Sequence, residues 1–219
     1  MASLHSNSTQ IKICGVTTAK TYQHCARIGV DWIGFVFFEK SPRHLGYDRA
    51  AELVDSAPHH APKRVALTVN ADDAMLADIM AAAQPEMIQL HGHETADRAQ
   101  HIQQKFGVRV MPVIAVGSEA DLAKAEAFRA FCDWILFDAA MPADATLPGG
   151  RGQRFDWQIL DGFTADYPWM LAGGLNADNV ASAINLLRPD AVDISSGVEI
   201  EKGIKDNQLI SEFVRAVRG

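Results

Sequence analysis

The sequence predicts one (β/α)8 barrel. Eight short apolar segments occur in order, and a helical pattern follows each of them. The second segment, Trp32-Ile33-Gly34-Phe35-Val36-Phe37-Phe38, is a continuous apolar run of the kind found in parallel strands buried on both faces. The chain has 219 residues, 48% of them hydrophobic, which suits a single domain at the short end of the barrel size range. An open doubly wound sheet is the alternative architecture, but it leaves the eighth unit without a natural place.

The elements follow from local patterning. The first strand covers Ile11 to Cys14 and breaks at Gly15; Thr17 or Thr18 can cap a helix from Ala19 to Gly29. Strand two spans Asp31 to Phe38, and helix two Tyr47 to Ser56. Strand three spans Lys63 to Asn70, with Asn70 or Asp72 as a cap for the helix Asp73 to Ala83. Met87 to Leu90 is strand four, followed by a helix from Thr95 to Phe106 that Gly107 stops. Arg109 to Val116 is strand five, although Pro112 weakens its middle. Ser118 caps a helix running to Phe131, and Trp134 to Phe137 is strand six, ending on Asp138. A long Pro/Gly-rich loop covers Ala139 to Arg154; loops of this length inside a compact domain are usually functional. A short helix begins near Phe155-Asp156-Trp157. Trp169 to Ala172 and Ala191 to Ile194 are the last two strands, with helices over Ala177 to Leu187 and Asn207 to Val217.

Bulk properties exclude several function classes. The formal charge of −7 and the lack of a basic run argue against nucleic acid. No apolar run reaches membrane-spanning length. Three widely separated cysteines, Cys14, Cys25 and Cys132, form neither a disulfide framework nor a zinc site, which fits a reducing cytoplasm. Residues 1–10 are polar, lack the apolar centre of a signal peptide and read as a flexible tail, leaving 11–219 as the catalytic barrel. Nothing in the sequence distinguishes a monomer from a homodimer.

Barrel enzymes place their chemistry at the C-terminal ends of the strands. That rule selects Cys14, Arg43, Asn70, His91, Asp138 and the turns after strands seven and eight. Cys14 shares a strand face with Lys12, whose charge favours the thiolate; the alternative is a small core cysteine beside a snorkelling lysine. Asp138 ends an apolar strand, so partial desolvation raises its pKa toward that of a general acid; an N-cap or loop aspartate is the alternative. Gly173-Gly174 and Ser195-Ser196-Gly197 leave backbone amides open to an anion, and such barrels bind phosphate at this pair of loops. His91 and His93 stand at strand spacing but have no third ligand, so they read as structural and no metal is expected.

A resemblance then emerges. Lys12-Ile13-Cys14-Gly15, Ser41-Pro42-Arg43, Gln89-Leu90-His91-Gly92-His93-Glu94, Phe137-Asp138-Ala139, Gly149-Gly150-Arg151-Gly152, Ala172-Gly173-Gly174-Leu175-Asn176, Asp193-Ile194-Ser195-Ser196-Gly197-Val198-Glu199 and Gly203-Ile204-Lys205-Asp206 occur in order. From about residue 11 to the end the chain resembles the phosphoribosylanthranilate isomerases of tryptophan biosynthesis. The resemblance implies an aldose–ketose isomerase that carries out an Amadori rearrangement on a phosphorylated small molecule, with no cofactor and no metal. It also implies that Cys14 is the general base and Asp138 the general acid. Arg43 would meet the anthranilate carboxylate, and the glycines of the last two loops would bind phosphate. Asp193 would hydrogen-bond near the base. A related sugar-phosphate enzyme would more naturally use paired aspartates or a strand-end lysine, and a non-catalytic barrel would have no need of both Cys14 and Asp138. Two positions depart from the family pattern: Thr68 stands where an aromatic is common, and Arg151 where a small residue is common.

Overall fold

The computed structural model describes residues 8–139 and 157–219. The long loop after strand six, with Arg151, lies outside the described residues, as do residues 1–7 of the expected tail. Eight parallel strands close a barrel in chain order: β1 Gln10–Cys14, β2 Trp32–Phe37, β3 Lys63–Thr68, β4 Met87–Leu90, β5 Arg109–Val116, β6 Ile135–Ala139, β7 Trp169–Leu171 and β8 Ala191–Ile194. The last strand returns to pair with β1 through Gln10 to Ile13. Seven α-helices are described: α1 Ala19–Arg27, α2 Tyr47–Asp55, α3 Asp73–Ala83, α4 Ala96–Phe106, α5 Glu119–Leu122, α6 Val180–Leu187 and α7 Asn207–Arg218.

Local chemistry explains the boundaries. Thr18, Asp72, Thr95 and Asp206 each accept a hydrogen bond from a backbone N–H of the following first turn, which settles the caps of α1, α3, α4 and α7. Strand β5 tolerates Pro112 because of the barrel's stagger. Its pairing with β4 ends at Pro112 and its pairing with β6 begins at Val113.

Three elements differ from expectation. Helix α5 stops at Leu122 and continues only as a 3-10 turn, Ala123–Ala127; Ala125 alone is fully buried there, so packing gives a regular helix little support. Helix α6 starts at Val180 and not at Ala177. Asn176 Oδ1 accepts from the N–H groups of Asp178 and Asn179, and Asn179 Oδ1 accepts from Asn176 N–H, which holds 176–179 as a turn. Finally, a short hairpin of β9 Glu199–Glu201 and β10 Ile204–Lys205 sits between β8 and α7.

The core has two parts. Outward-facing strand residues such as Ile11, Ile13, Phe35 and Leu171 pack against the helices. Inside the barrel, Trp32, Val65, Met87, Met111, Trp134, Leu136 and Met170 form an apolar plug, with Trp32 and Trp134 edge to face at 6.1 Å between centroids. The other interior residues of β1 and β8, Lys12 and Asp193, make a buried polar step, and Cys14 ends β1 among Val36 and Leu67. The interior therefore runs from apolar plug to charged pair to thiol along one strand face.

Candidate active site

Cys14 is 5% exposed at the C-terminal end of β1. Gly34 is its register partner on β2, and a Cβ there would stand 2.9 Å from the sulfur, so glycine makes room for the thiol. Burial pushes the Cys14 pKa up, and Lys12, Lys205 and Arg43 oppose that shift without overcoming it. Lys12 does favour the thiolate, as the sequence implies, but burial outweighs it. Lys12 is wholly buried, and its ammonium donates to Asp193 Oδ1 at 2.9 Å, so most of its charge is answered there. Burial pulls the lysine's pKa down, but Asp193 and then Cys14 outweigh it, and the net shift is upward. Asp193 is thus the counter-ion of the lysine below the thiol.

Removing one partner of such a pair strands the other in the interior, which typically costs about 3–5 kcal/mol. Lys12→Met is expected to lower the unfolding free energy by about that amount, and Asp193→Asn in the same chain to recover part of it. Urea unfolding of the three variants measures this; full additivity of the single losses would mean that the pair is not coupled.

Asp138 lies on β6, which β7 and β8 separate from β1. His91, at the end of β4, places Nε2 3.7 Å from Asp138 Oδ2. Burial, and then the charge of Lys12, push the His91 pKa down, so the ring is neutral at pH 7. Its Nδ1 lies 3.5 Å from the Gln89 side-chain amide nitrogen, and its Nε2 faces Asp138. Strand-end position selects His91 on the sequence and a lone histidine pair reads as structural there; its approach to Asp138 comes only from the fold. His93 is exposed. Asn70, also selected by position, serves the backbone: its Oδ1 accepts from His93 N–H, and Glu94 accepts from its own N–H. No group of three or more His, Cys, Asp or Glu with metal-holding geometry occurs among the described residues.

Arg43 follows β2, and its stem lies across Gly15, where a Cβ would stand 2.6 Å from Arg43 Cδ. Its Nε and Nη2 donate to the two carboxylate oxygens of Glu199 at 2.6 and 2.7 Å. One edge of the guanidinium is therefore occupied, and the Nη1–Nη2 edge remains to hold a planar anion. Glu199 was part of the resemblance but had no role assigned to it.

The two glycine loops meet. Gly173 and Gly174 have φ of 92° and 63°, a turn that only glycine makes without strain. A Cβ on Gly197 would stand 2.3 Å from the Leu175 carbonyl oxygen, so the loop after β8 lies directly on the loop after β7. Asn179 Nδ2 donates to the Gly174 carbonyl at 2.9 Å and fixes the first loop. Helix dipoles add little at these loops. Helix α6 begins six residues past Gly174, and only a 3-10 turn, Ser196–Val198, follows Ser195. The groups this pair of loops could offer an anion are backbone amides.

Comparison with known proteins gives a consistent result. The family model for N-(5'phosphoribosyl)anthranilate (PRA) isomerase matches residues 11–216. The chain is 47% identical over 211 residues to the N-(5'-phosphoribosyl)anthranilate isomerase of Bradyrhizobium sp. strain ORS 278, covering 96% of each. It is also 47% identical to that of Rhodospirillum rubrum, covering 97% of this chain and 99% of the relative. Among solved structures, the phosphoribosyl anthranilate isomerase from Thermotoga maritima matches with TM-score 0.86 at 33% identity, covering 96% of this chain and 99% of that one. A phosphoribosyl anthranilate isomerase in complex with reduced 1-(o-carboxyphenylamino)-1-deoxyribulose 5-phosphate matches with TM-score 0.83 at 32% identity, over 96% of this chain and 99% of that one. With a closed eight-stranded barrel, a strand-end cysteine and aspartate, and near-complete coverage at this identity, the chain belongs to the N-(5'-phosphoribosyl)anthranilate isomerase family.

Proposed function

We propose that Cys14 and Asp138 are the base and acid of the Amadori rearrangement that this isomerase performs in tryptophan biosynthesis. The reaction converts N-(5-phosphoribosyl)anthranilate to 1-(2-carboxyphenylamino)-1-deoxyribulose 5-phosphate. Asp138 protonates the furanose ring oxygen, and the ring opens to a Schiff-base cation. The Cys14 thiolate takes the proton from C2 of the sugar. The resulting enolamine moves its hydroxyl proton to C1 and becomes the ketone. Each turnover leaves a proton on Cys14 and takes one from Asp138, so the pair is reset by exchange with water.

The other side chains orient the substrate. The free edge of Arg43 holds the anthranilate carboxylate, a fit that Glu199 supports by fixing the opposite edge. The amides around Gly173, Gly174, Ser195, Ser196 and Gly197 receive the phosphate. Asp193 keeps Lys12 charged beneath the thiol. His91 offers an N–H to the Asp138 carboxylate as it loses its proton.

The observation that carries this reading is the placement of Cys14 and Asp138 at the same barrel mouth, on strands separated by β7 and β8. A turnover assay that follows loss of the substrate's anthranilate fluorescence tests it. Activity on N-(5-phosphoribosyl)anthranilate that competes with inorganic phosphate is the expected result. Turnover insensitive to phosphate would place the phosphate away from the two glycine loops.

A further inference from the structure

The motif Gly203-Ile204-Lys205-Asp206 has no part in the chemistry above, yet among the described residues its lysine is the most enclosed cation near the mouth after Lys12. The Lys205 side chain is 2% exposed and that of its neighbour Glu199 4%. Lys205 Nζ donates to Ser195 O at 2.9 Å, Ser195 Oγ at 3.1 Å and Glu199 Oε1 at 2.7 Å. Three acceptors around one nitrogen is the pattern of a protonated amine, which has three donors. Ser195 Oγ donates in turn to the Cys14 carbonyl at 3.1 Å, and Glu199 carries the two bonds to Arg43. The hairpin is held against the Arg43 loop by close approach: Gly203 has φ 84°, and a Cβ there would stand 2.5 Å from the Pro42 carbonyl oxygen. Gly203 N–H also donates to Glu199 Oε2 at 3.2 Å.

We propose that Lys205 is a positioning residue of the isomerase site, joining the Arg43 clamp to the Cys14 strand end and supplying the unbalanced positive charge beside the thiol. This rests on the roles given to Cys14 and Arg43 above. The charge argument is a count. Lys12 and Asp193 cancel, one cation to one anion. Arg43 and Lys205 share a single carboxylate, Glu199, so two cations less one anion leaves a net +1. Among the described residues, the charged groups acting on Cys14 are Lys12 from its own strand, Asp193 from β8, Lys205 from the hairpin and Arg43 from the loop after β2. Lys12 is matched within that set; the excess charge comes from the hairpin side. The thiolate is therefore supported by Lys205, 191 positions away, in addition to the lysine two residues before it, whose own effect Asp193 opposes.

The test is alkylation of Cys14 by iodoacetamide in the intact enzyme across a pH series, read by mass spectrometry of the Cys14 peptide. Burial pushes the thiols of Cys25 and Cys132 up to about 12, so they stay largely unreactive. Lys205→Met takes the trio from +1 to zero and is expected to raise the alkylation midpoint by about 0.5 unit or more, with a fall in kcat and a rise in KM. Glu199→Gln removes the anion; the midpoint is expected to stay or fall, never to rise, while KM rises because Arg43 loses its anchor. A loosened structure would move both variants the same way. Lys205→Arg keeps the charge but not the three-acceptor geometry, so it should hold the midpoint while raising KM, and it stands in if the methionine variant does not fold. A midpoint unmoved in Lys205→Met, a rise in Glu199→Gln, or a raised midpoint in Lys205→Arg would overturn the proposal. Alkylation needs no substrate, so its outcome is separate from whether Cys14 is the base, which the turnover of Cys14→Ser decides.

Discussion

Cys14→Ser is expected to fold normally and to lose turnover by about 10²–10⁴-fold or more. The replacement is isosteric within a few tenths of an ångström, and the space that Gly34 leaves above the thiol accepts it. What changes is the base. A thiol can give a useful fraction of thiolate at working pH, whereas an alcohol gives almost none. KM is expected to change little, because the carboxylate and phosphate contacts come from Arg43 and the glycine loops. A product analogue should therefore still bind with near-wild-type affinity, measured by quenching of its own fluorescence. Turnover within about threefold of wild type would remove Cys14 from the base role, and the buried Lys12–Asp193 pair would then have to be reconsidered as the proton acceptor.

The barrel was legible because β1 to β4 carry strong local signals. Asp73–Ala83, Met87–Leu90 and Arg109–Val116 match their expected boundaries residue for residue. The exceptions each have a physical cause outside the local pattern. Asn176 and Asn179 trade side-chain bonds with the backbone and delay α6, which residue type alone does not fix. The β9–β10 hairpin has only five strand residues, too few for any periodicity, and it is held by Gly203 packing on Pro42 from a different part of the chain. The site divides in the same way. Cys14 and Asp138 were readable because strand-end position is a property of sequence order. The partner of Lys12 was not readable, since pairing with Asp193 requires β1 and β8 to close the barrel. The lysine–cysteine reading was incomplete for that reason: Lys12 does favour the thiolate, but burial outweighs it and in the fold the lysine also has a carboxylate at 2.9 Å. The Glu199 contact with Arg43 joins positions 156 apart and has no local signature at all.

Asp138→Asn is expected to lower kcat/KM by about 10²–10⁴-fold and, more diagnostically, to change the shape of the pH profile. Activity requires the thiolate of Cys14 together with the carboxylic acid of Asp138. A carboxyl ordinarily titrates well below a thiol, and burial pushes the Cys14 thiol higher still. The productive form is then the minor one of the two forms that share a single proton between acid and base. In the wild type, kcat/KM should rise tenfold per pH unit while Asp138 is still protonated. It should level off once the carboxyl titrates, because each gain in thiolate is matched by a loss of acid. It should fall only above the Cys14 pKa. Asparagine removes the first titration and the acid with it. The residual activity should climb with unit slope, without a plateau, to a single break at the Cys14 pKa, above the ordinary thiol range. The pKa from that break should coincide with the alkylation midpoint of Cys14, measured independently on the same variant. A profile in Asp138→Asn that keeps the wild-type plateau would show that another group, with His91 the nearest candidate at 3.7 Å, donates the proton to the ring oxygen.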